Sequence, residues 1–347
     1  MYTRRHAHYT KWPLLLLFGL LLILQAHWTI GEVTPQAASY HSPAGSYEVD
    51  SLLLEWFDPT RSRRVPVKLY YPKTGSGPFP LIIFSHGLGG SREGYAYLGR
   101  HWASAGYVSI HVQHLGSDEA VWRGSQQPLQ AMQHAAADLK NALDRPRDVS
   151  FAIDQMERLH RQEGPLSGRL DLSRVGVAGH SFGAYTALAV AGETFVDPGG
   201  GTVSFVDPRV QAAIPMSAPV PRNRERLEQA FSTIRIPCLH MTGTRDDSPI
   251  YDTRAADRRV PFDHIQAADQ YLLVLQGDDH MVFSGRQRLR GGGENDAVFQ
   301  ELILQSSLAF WEAYLRHNPD AKAWLRAGGF VTVLGTHGTF EQKIAAQ

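Results

Sequence analysis

The stretch Arg174-Val-Gly-Val-Ala-Gly179-His180-Ser181-Phe182-Gly183-Ala184-Tyr185-Thr186-Ala187-Leu188 decides the fold. Its first part is apolar and reads as a buried strand over Arg174–Ala178, and its last part is a run of helix formers. Between them stands Gly-x-Ser-x-Gly, a turn so tight that Gly179 and Gly183 must lack side chains where chain segments crowd together. With a strand entering and a helix leaving, the pattern reads as a nucleophile elbow. Ser181 is lifted above the sheet, and the helix N-terminus faces the negative charge that develops during attack. Ser181 is the candidate nucleophile.

A serine hydroxyl needs a base and an acid that orients the base, expected downstream in the order Ser, Asp, His. The strand-like run Ile236-Pro-Cys-Leu-His-Met241 leads into Thr242-Gly243-Thr244-Arg245-Asp246-Asp247. Asp246 is the candidate acid there, with Asp247 as the alternative. A second run, Tyr271-Leu-Leu-Val-Leu-Gln-Gly277-Asp278-Asp279-His280, ends on the candidate base His280. Any one of 16 histidines is more often structural, so the weight lies in three residues following successive strands in the right order. Asp278 and Asp279 read as shaping the loop that presents His280, not as a cation site.

Attack on a carbonyl also requires N–H donors for the oxyanion. The amide of Phe182, directly after the nucleophile, supplies one. The loop Ser85-His86-Gly87-Leu88-Gly89-Gly90-Ser91 follows the apolar run Pro80–Ser85, and the Leu88 amide is the natural second donor. A dinucleotide loop is the rival reading of these glycines. It fails because Gly-x-Gly-x-x-Gly is missing and the next strand ends in His111-Val-Gln-His114 with no acid for a ribose. His111 and His114, an odd number of positions apart on a strand, face opposite sides and make no metal pair. His86, Gly87 and His180, beside the two motifs, and Trp122, in the segment Gly116–Leu129, are candidates for the substrate pocket; that segment reads equally well as a plain surface loop.

Away from these motifs, strand-like runs alternate with helical ones. Leu52–Phe57 and Val65–Tyr71 open the series, and Tyr107–Val112, Val210–Pro215, Pro237–Met241 and Tyr271–Leu275 continue it. Val149, Ala152, Ile153, Met156 and Leu159 keep helical spacing, as do Val298, Phe299, Leu302, Ile303 and Phe310. Such alternation predicts a mostly parallel sheet flanked by helices. The glycine stretches Gly199–Gly201 and Gly291–Gly293 read as surface loops.

Lys+Arg and Asp+Glu each total 34 in 347 residues, a balance that gives no reason to expect a nucleic-acid partner. Hydrophobic residues at 43% supply a sizeable core. One cysteine, Cys238, excludes a disulfide scaffold. At the amino end, Arg4, Arg5 and Lys11 precede the apolar run Trp12–Leu24, the layout of an export signal. We expect residues 1–30 to be a signal peptide or an uncleaved signal anchor, 31–50 a linker, and 51–347 one catalytic domain lying outside the cytoplasm, periplasmic or extracellular. Residues 12–30 are then the possible point of membrane attachment.

At these residues the sequence resembles the α/β-hydrolase superfamily, in particular the branch holding platelet-activating-factor acetylhydrolases, bacterial dienelactone-hydrolase-like proteins and polyester-cleaving cutinases. The resemblance rests on His86-Gly87-Leu88-Gly89-Gly90, the Gly179–Gly183 elbow, Gly243-Thr-Arg-Asp246 and Asp279-His280. Arg145-Pro-Arg-Asp148-Val-Ser-Phe-Ala-Ile-Asp154 is similar to the helix before the elbow strand in the acetylhydrolase-like proteins. Ser181 stands where dienelactone hydrolases proper carry cysteine. The resemblance implies an α/β-hydrolase fold, with a mostly parallel eight-stranded-type sheet flanked by helices on both faces. It also implies cofactor-free serine hydrolysis of small-molecule or lipid esters, with Ser181, Asp246 and His280 as triad and Leu88 and Phe182 as oxyanion donors. A non-catalytic binding module of the same fold, and an amidase or peptidase with the same triad, are the alternatives.

Overall fold

The computed structural model describes residues 40, 45–196, 199–221, 223–250, 252–285, 293 and 295–345. The expected signal or anchor segment 1–30 lies outside them, and so does the expected linker apart from Tyr40 and 45–50. Residue 47 is already packed: the Tyr47 N–H donates to the Ser104 carbonyl at 3.0 Å, and its ring meets Phe79 edge-on. Among the described residues no helix is long and apolar enough to cross a membrane.

The described residues open with an antiparallel pair, β1 (Val49–Asp58) and β2 (Arg63–Pro72). Then follow β3 (Phe79–Ser85), α1 (Ala96–Ser104) and β4 (Val108–Val112). Two helices, α2 (Pro128–Ala137) and α3 (Leu139–Arg161), lead to the elbow strand β5 (Leu170–His180) and its helix α4 (Phe182–Ala191). A small hairpin, β6 (Thr194–Val196) and β7 (Thr202–Ser204), precedes β8 (Val210–Met216). The second half runs α5 (Leu227–Phe231), β9 (Cys238–Arg245), α6 (Val260–His264) and β10 (Gln270–Asp279). It closes with α7 (Asp296–Tyr314), α8 (Pro319–Arg326), α9 (Gly329–Leu334) and β11 (Gly338–Lys343).

Among the described residues, nine strands form the main sheet in the order β1-β2-β4-β3-β5-β8-β9-β10-β11. From β4 to β10 every neighbouring pair is parallel, and β1, β2 and β11 run antiparallel at the two ends. The ninth strand is an addition to the eight read from sequence. Gly-Thr-Phe-Glu-Gln-Lys in β11 is polar because it lies at an edge, where only Phe340 reaches the core.

Both faces of the sheet are covered, which is why its central strands read as unbroken apolar runs. Successive side chains of a strand point to opposite faces. In β3, Ile82 and Phe84 join a core with Leu98 and Trp102 of α1 and Phe310 and Trp311 of α7, while Leu81 and Ile83 join Val149 and Ile153 of α3 and Ala184 and Leu188 of α4. The parallel strands β3, β5, β8, β9 and β10 therefore deliver their C-terminal ends to one edge of a rigid layer.

Candidate active site

The elbow, the loop after β3 and the segments carrying Asp246 and His280 all lie at or just beyond that edge. Ser181 follows β5 with φ 56° and ψ −116°, a backbone conformation that costs a non-glycine residue strain. The turn closes because Gly183 passes against the end of β3: a Cβ there would lie 1.9 Å from the Ser85 carbonyl oxygen, and one on Gly179 would lie 2.2 Å from that of Gly183. The Ser181 N–H donates to the Met216 carbonyl at 2.9 Å, which ties the elbow to β8. The Phe182 N–H stands at the first position of α4, where a helix supplies no partner of its own.

Asp246 and His280 are brought together directly. His280 Nδ1 lies 2.6 Å from Asp246 Oδ1, and the Asp246 side chain is fully buried. The other carboxylate oxygen accepts from Ser217 Oγ at 2.5 Å and from Thr242 Oγ1 at 2.8 Å. Burial pushes the Asp246 carboxyl up, but the hydrogen bond from His280 and the Arg258 and His280 charges outweigh it and hold the group below its ordinary value. An ionised Asp246 accepts the Nδ1 proton of His280, so Nε2 is the nitrogen left to take a proton. Asp247 is exposed and instead accepts the Ala255 N–H at 2.8 Å.

The imidazole of His280 also packs on the ring of His180, centroids 4.6 Å apart, and His180 is the residue directly before Ser181. The residue before Ser181 thus touches the His280 ring, and no hydrogen bond joins Ser181 and His280 among those the described residues make. His180 itself is buried. Burial and the neighbouring His280 hold it well below its usual value, hence neutral, and its Nδ1 pairs with Tyr95 Oη at 2.8 Å.

The loop after β3 is fixed from several sides. The Tyr95 hydroxyl accepts the Gly87 N–H at 3.3 Å, the Ser117 carbonyl accepts the Gly89 N–H at 2.9 Å, and Trp122 Nε1 donates to the Gly89 carbonyl at 2.7 Å. His86 Nε2 accepts the His114 N–H at 3.0 Å, so Nδ1 carries the proton it donates to the Gly87 carbonyl at 2.7 Å. Among the residues read as pocket candidates, His86, Gly87 and His180 are buried, and the two histidine rings brace the loop and the elbow from beneath. Trp122 is half-buried and closes over Gly89, so Gly116–Leu129 holds the loop that carries Leu88.

Two features escaped the sequence. Tyr95 links the Leu88 loop to His180, yet it sits in an ordinary-looking Gly-Tyr-Ala-Tyr run. Arg258, almost fully buried, donates to the carbonyls of Asp246, Ser217 and Ala218, and its Nη2 lies 3.3 Å from Asp246 Oδ1. Its neighbours Arg254, Asp257 and Arg259 make the segment read as a solvated face. His111 and His114 are apart, as expected: His111 packs on Tyr70 and Phe84, and His114 bonds Ser85 and Asp148.

The strand order, the strained serine between strand and helix, and an Asp–His pair just past the ends of β9 and β10 define the α/β-hydrolase fold. Comparison with known proteins agrees. Residues 58–134 match the family model for platelet-activating factor acetylhydrolase, isoform II. The chain is 24% identical over 301 residues to the platelet-activating factor acetylhydrolase of Cavia porcellus, covering 76% of this chain and 64% of that protein. It is 25% identical over 177 residues to cutinase 2 of Thermobifida cellulosilytica, covering 49% of each chain, and to a cutinase of Thermobifida fusca, covering 49% of this chain and 40% of that one. The chain thus spans less than two thirds of the length of these relatives.

Proposed function

We propose that the chain is a serine hydrolase of carboxylic esters, acting through an acyl-enzyme on Ser181. The observation that carries this reading is the short bond from His280 Nδ1 to the buried Asp246 carboxylate, held beside the residue that precedes a strained serine. His280 Nε2 takes the Ser181 proton as Oγ attacks the carbonyl. The Leu88 and Phe182 amides receive the oxyanion, where one such donor lowers the barrier by roughly 3 kcal/mol. His280 then protonates the departing alkoxide, and water activated by the same nitrogen releases the acid. The Ser181–His280 hydrogen bond that the mechanism needs forms when substrate is bound, since catalytic bonds are often completed only in the substrate complex.

The names of the similar proteins, an acetylhydrolase and two cutinases, support a short-chain acyl ester or a phospholipid-type acetyl ester as substrate class. The basic flank and apolar run of residues 4–24 support export, with the domain periplasmic or extracellular and either free or tethered through residues 12–30. The test combines fluorophosphonate labelling with p-nitrophenyl esters from acetyl to palmitoyl and matched anilides. Wild type is expected to label and to cleave esters far faster than anilides, and Ser181→Ala to do neither. Equal labelling of the two proteins contradicts the reading, and preferential anilide cleavage makes the protein an amidase.

A further inference from the structure

One fully buried cation touches the supports of both candidate oxyanion donors. Arg145, on α3, has no solvent exposure. Its Nε donates to Thr186 Oγ1 at 3.1 Å, Nη1 to Ser117 Oγ at 2.8 Å, and Nη2 to Ser85 Oγ at 3.2 Å and to the His86 carbonyl. The guanidinium carbon lies 4.5 Å from the centre of the Phe182 ring.

These contacts belong to three separate segments. Ser85 and His86 begin the loop that carries Leu88. Ser117 lies in the loop after β4, and its carbonyl holds the Gly89 N–H. Phe182 and Thr186 form the first turn of α4, joined by a bond from Thr186 Oγ1 to the Phe182 carbonyl at 3.0 Å. A planar fork of five donors can serve all three at once, whereas an ammonium presents three donors at one point.

The Ser85 end of the fork is itself anchored. Asp148 is fully buried and accepts from Arg61 and Arg63 at 2.8 and 2.9 Å. It lies 3.0 Å from His114 Nδ1, and His114 Nε2 lies 2.9 Å from Ser85 Oγ. Burial and the Arg145 charge bring His114 down to about 3. The ring is therefore neutral, with its proton on Nδ1 toward Asp148, and Nε2 accepts from Ser85. Ser85, His114 and Asp148 have the residue types of a catalytic triad, but all are sealed from solvent and no substrate reaches them. Their hydrogen bonds form a brace.

We infer that Arg145 is a positioning residue for the oxyanion hole, setting the separation and direction of the Leu88 and Phe182 amides from behind. The inference rests on reading Ser181 as an ester-cleaving nucleophile. An arrangement that acts only on the oxyanion predicts loss of transition-state binding with ground-state binding intact.

The experiment uses Arg145→Lys, Arg145→Met and the near-isosteric Thr186→Val, which removes one acceptor of the fork and is the milder change should the arginine variants fail to fold. Near-ultraviolet circular dichroism gives the folded fraction. Per folded molecule, the arginine variants are expected to lose roughly 10–100-fold in kcat with KM within about threefold, and Thr186→Val to lose a smaller factor in the same sense. A trifluoromethyl ketone, which adds the serine oxygen to its carbonyl and so presents an oxyanion, should weaken in step with kcat/KM. The corresponding alcohol, which forms no oxyanion, should bind as to wild type. Equal weakening of ketone and alcohol, or variants that match wild type, overturn the inference alone. A wild type inert toward esters and ketone overturns the reading of Ser181 and this inference with it.

Discussion

Burial separates two adjacent aspartates into different roles. Asp246 faces inward among Ser217, Thr242, Arg258 and His280, whereas Asp247 caps a backbone N–H at the surface. We therefore expect Asp246→Asn to lower kcat on a p-nitrophenyl ester by roughly 10⁴-fold, the size seen when a triad loses its orienting carboxylate. Asp247→Asn should stay within about threefold of wild type. Sequence order alone left both open, because neighbours in a polar turn differ only in which one the turn points inward. A second titrating residue affects stability. Glu193 is buried, and burial raises its carboxyl to about 8 from an ordinary 4.5. Between those values the folded protein holds a proton on Glu193 that the unfolded chain gives up, so this residue's contribution to stability falls as pH rises from about 4.5 and levels off above about 8. In thermal melts the Tm of Glu193→Gln relative to wild type should rise across that window, and the variant should melt higher than wild type at pH 8. A Tm difference between the two proteins that stays flat from about pH 4.5 to about pH 8 contradicts this.

At the scale of elements, the elbow was the most legible piece because its rule is steric. Where this strand and helix cross at backbone contact there is no room for a side chain, and a Cβ at Gly183 has no space beside the Ser85 carbonyl. Gly183→Ala is expected to cost several kcal/mol in a urea melt or to prevent folding, a mechanism of the overpacking kind. A melt within about 0.5 kcal/mol of wild type, the ordinary scatter of a surface substitution, would show that the turn has room for a Cβ at Gly183. Helix α3 was read only in part. Its apolar spacing begins after Pro146, a residue that lacks the N–H an interior helical position needs. The helix nevertheless starts at Leu139, where Asp138 caps the Lys140 N–H at 2.9 Å and Asn141 binds the Gly116 and Ala135 carbonyls. Tertiary hydrogen bonds to α2 and the Gly116 loop override the local signal. Strand β11 was missed for a related reason: an edge strand buries little, so Gly338–Lys343 carries no apolar run.

Across the whole molecule, a doubly covered parallel sheet brings residues from distant parts of the chain to one edge. Its strands announce themselves in sequence because burial on both faces demands unbroken apolar runs. Strand order and the supporting contacts do not, since Arg145, Tyr95 and Arg258 act through neighbours far away in the chain. The role proposed for the sheet is to make Ser181 a nucleophile. The most direct measurement is acid quenching during turnover of p-nitrophenyl butyrate, followed by peptide mapping by mass spectrometry. A butyryl group on the peptide containing Ser181, absent in Ser181→Ala and accumulating in His280→Ala only if deacylation is the slower step lost, is the predicted result. Unmodified Ser181 peptide together with undiminished turnover by Ser181→Ala would contradict it.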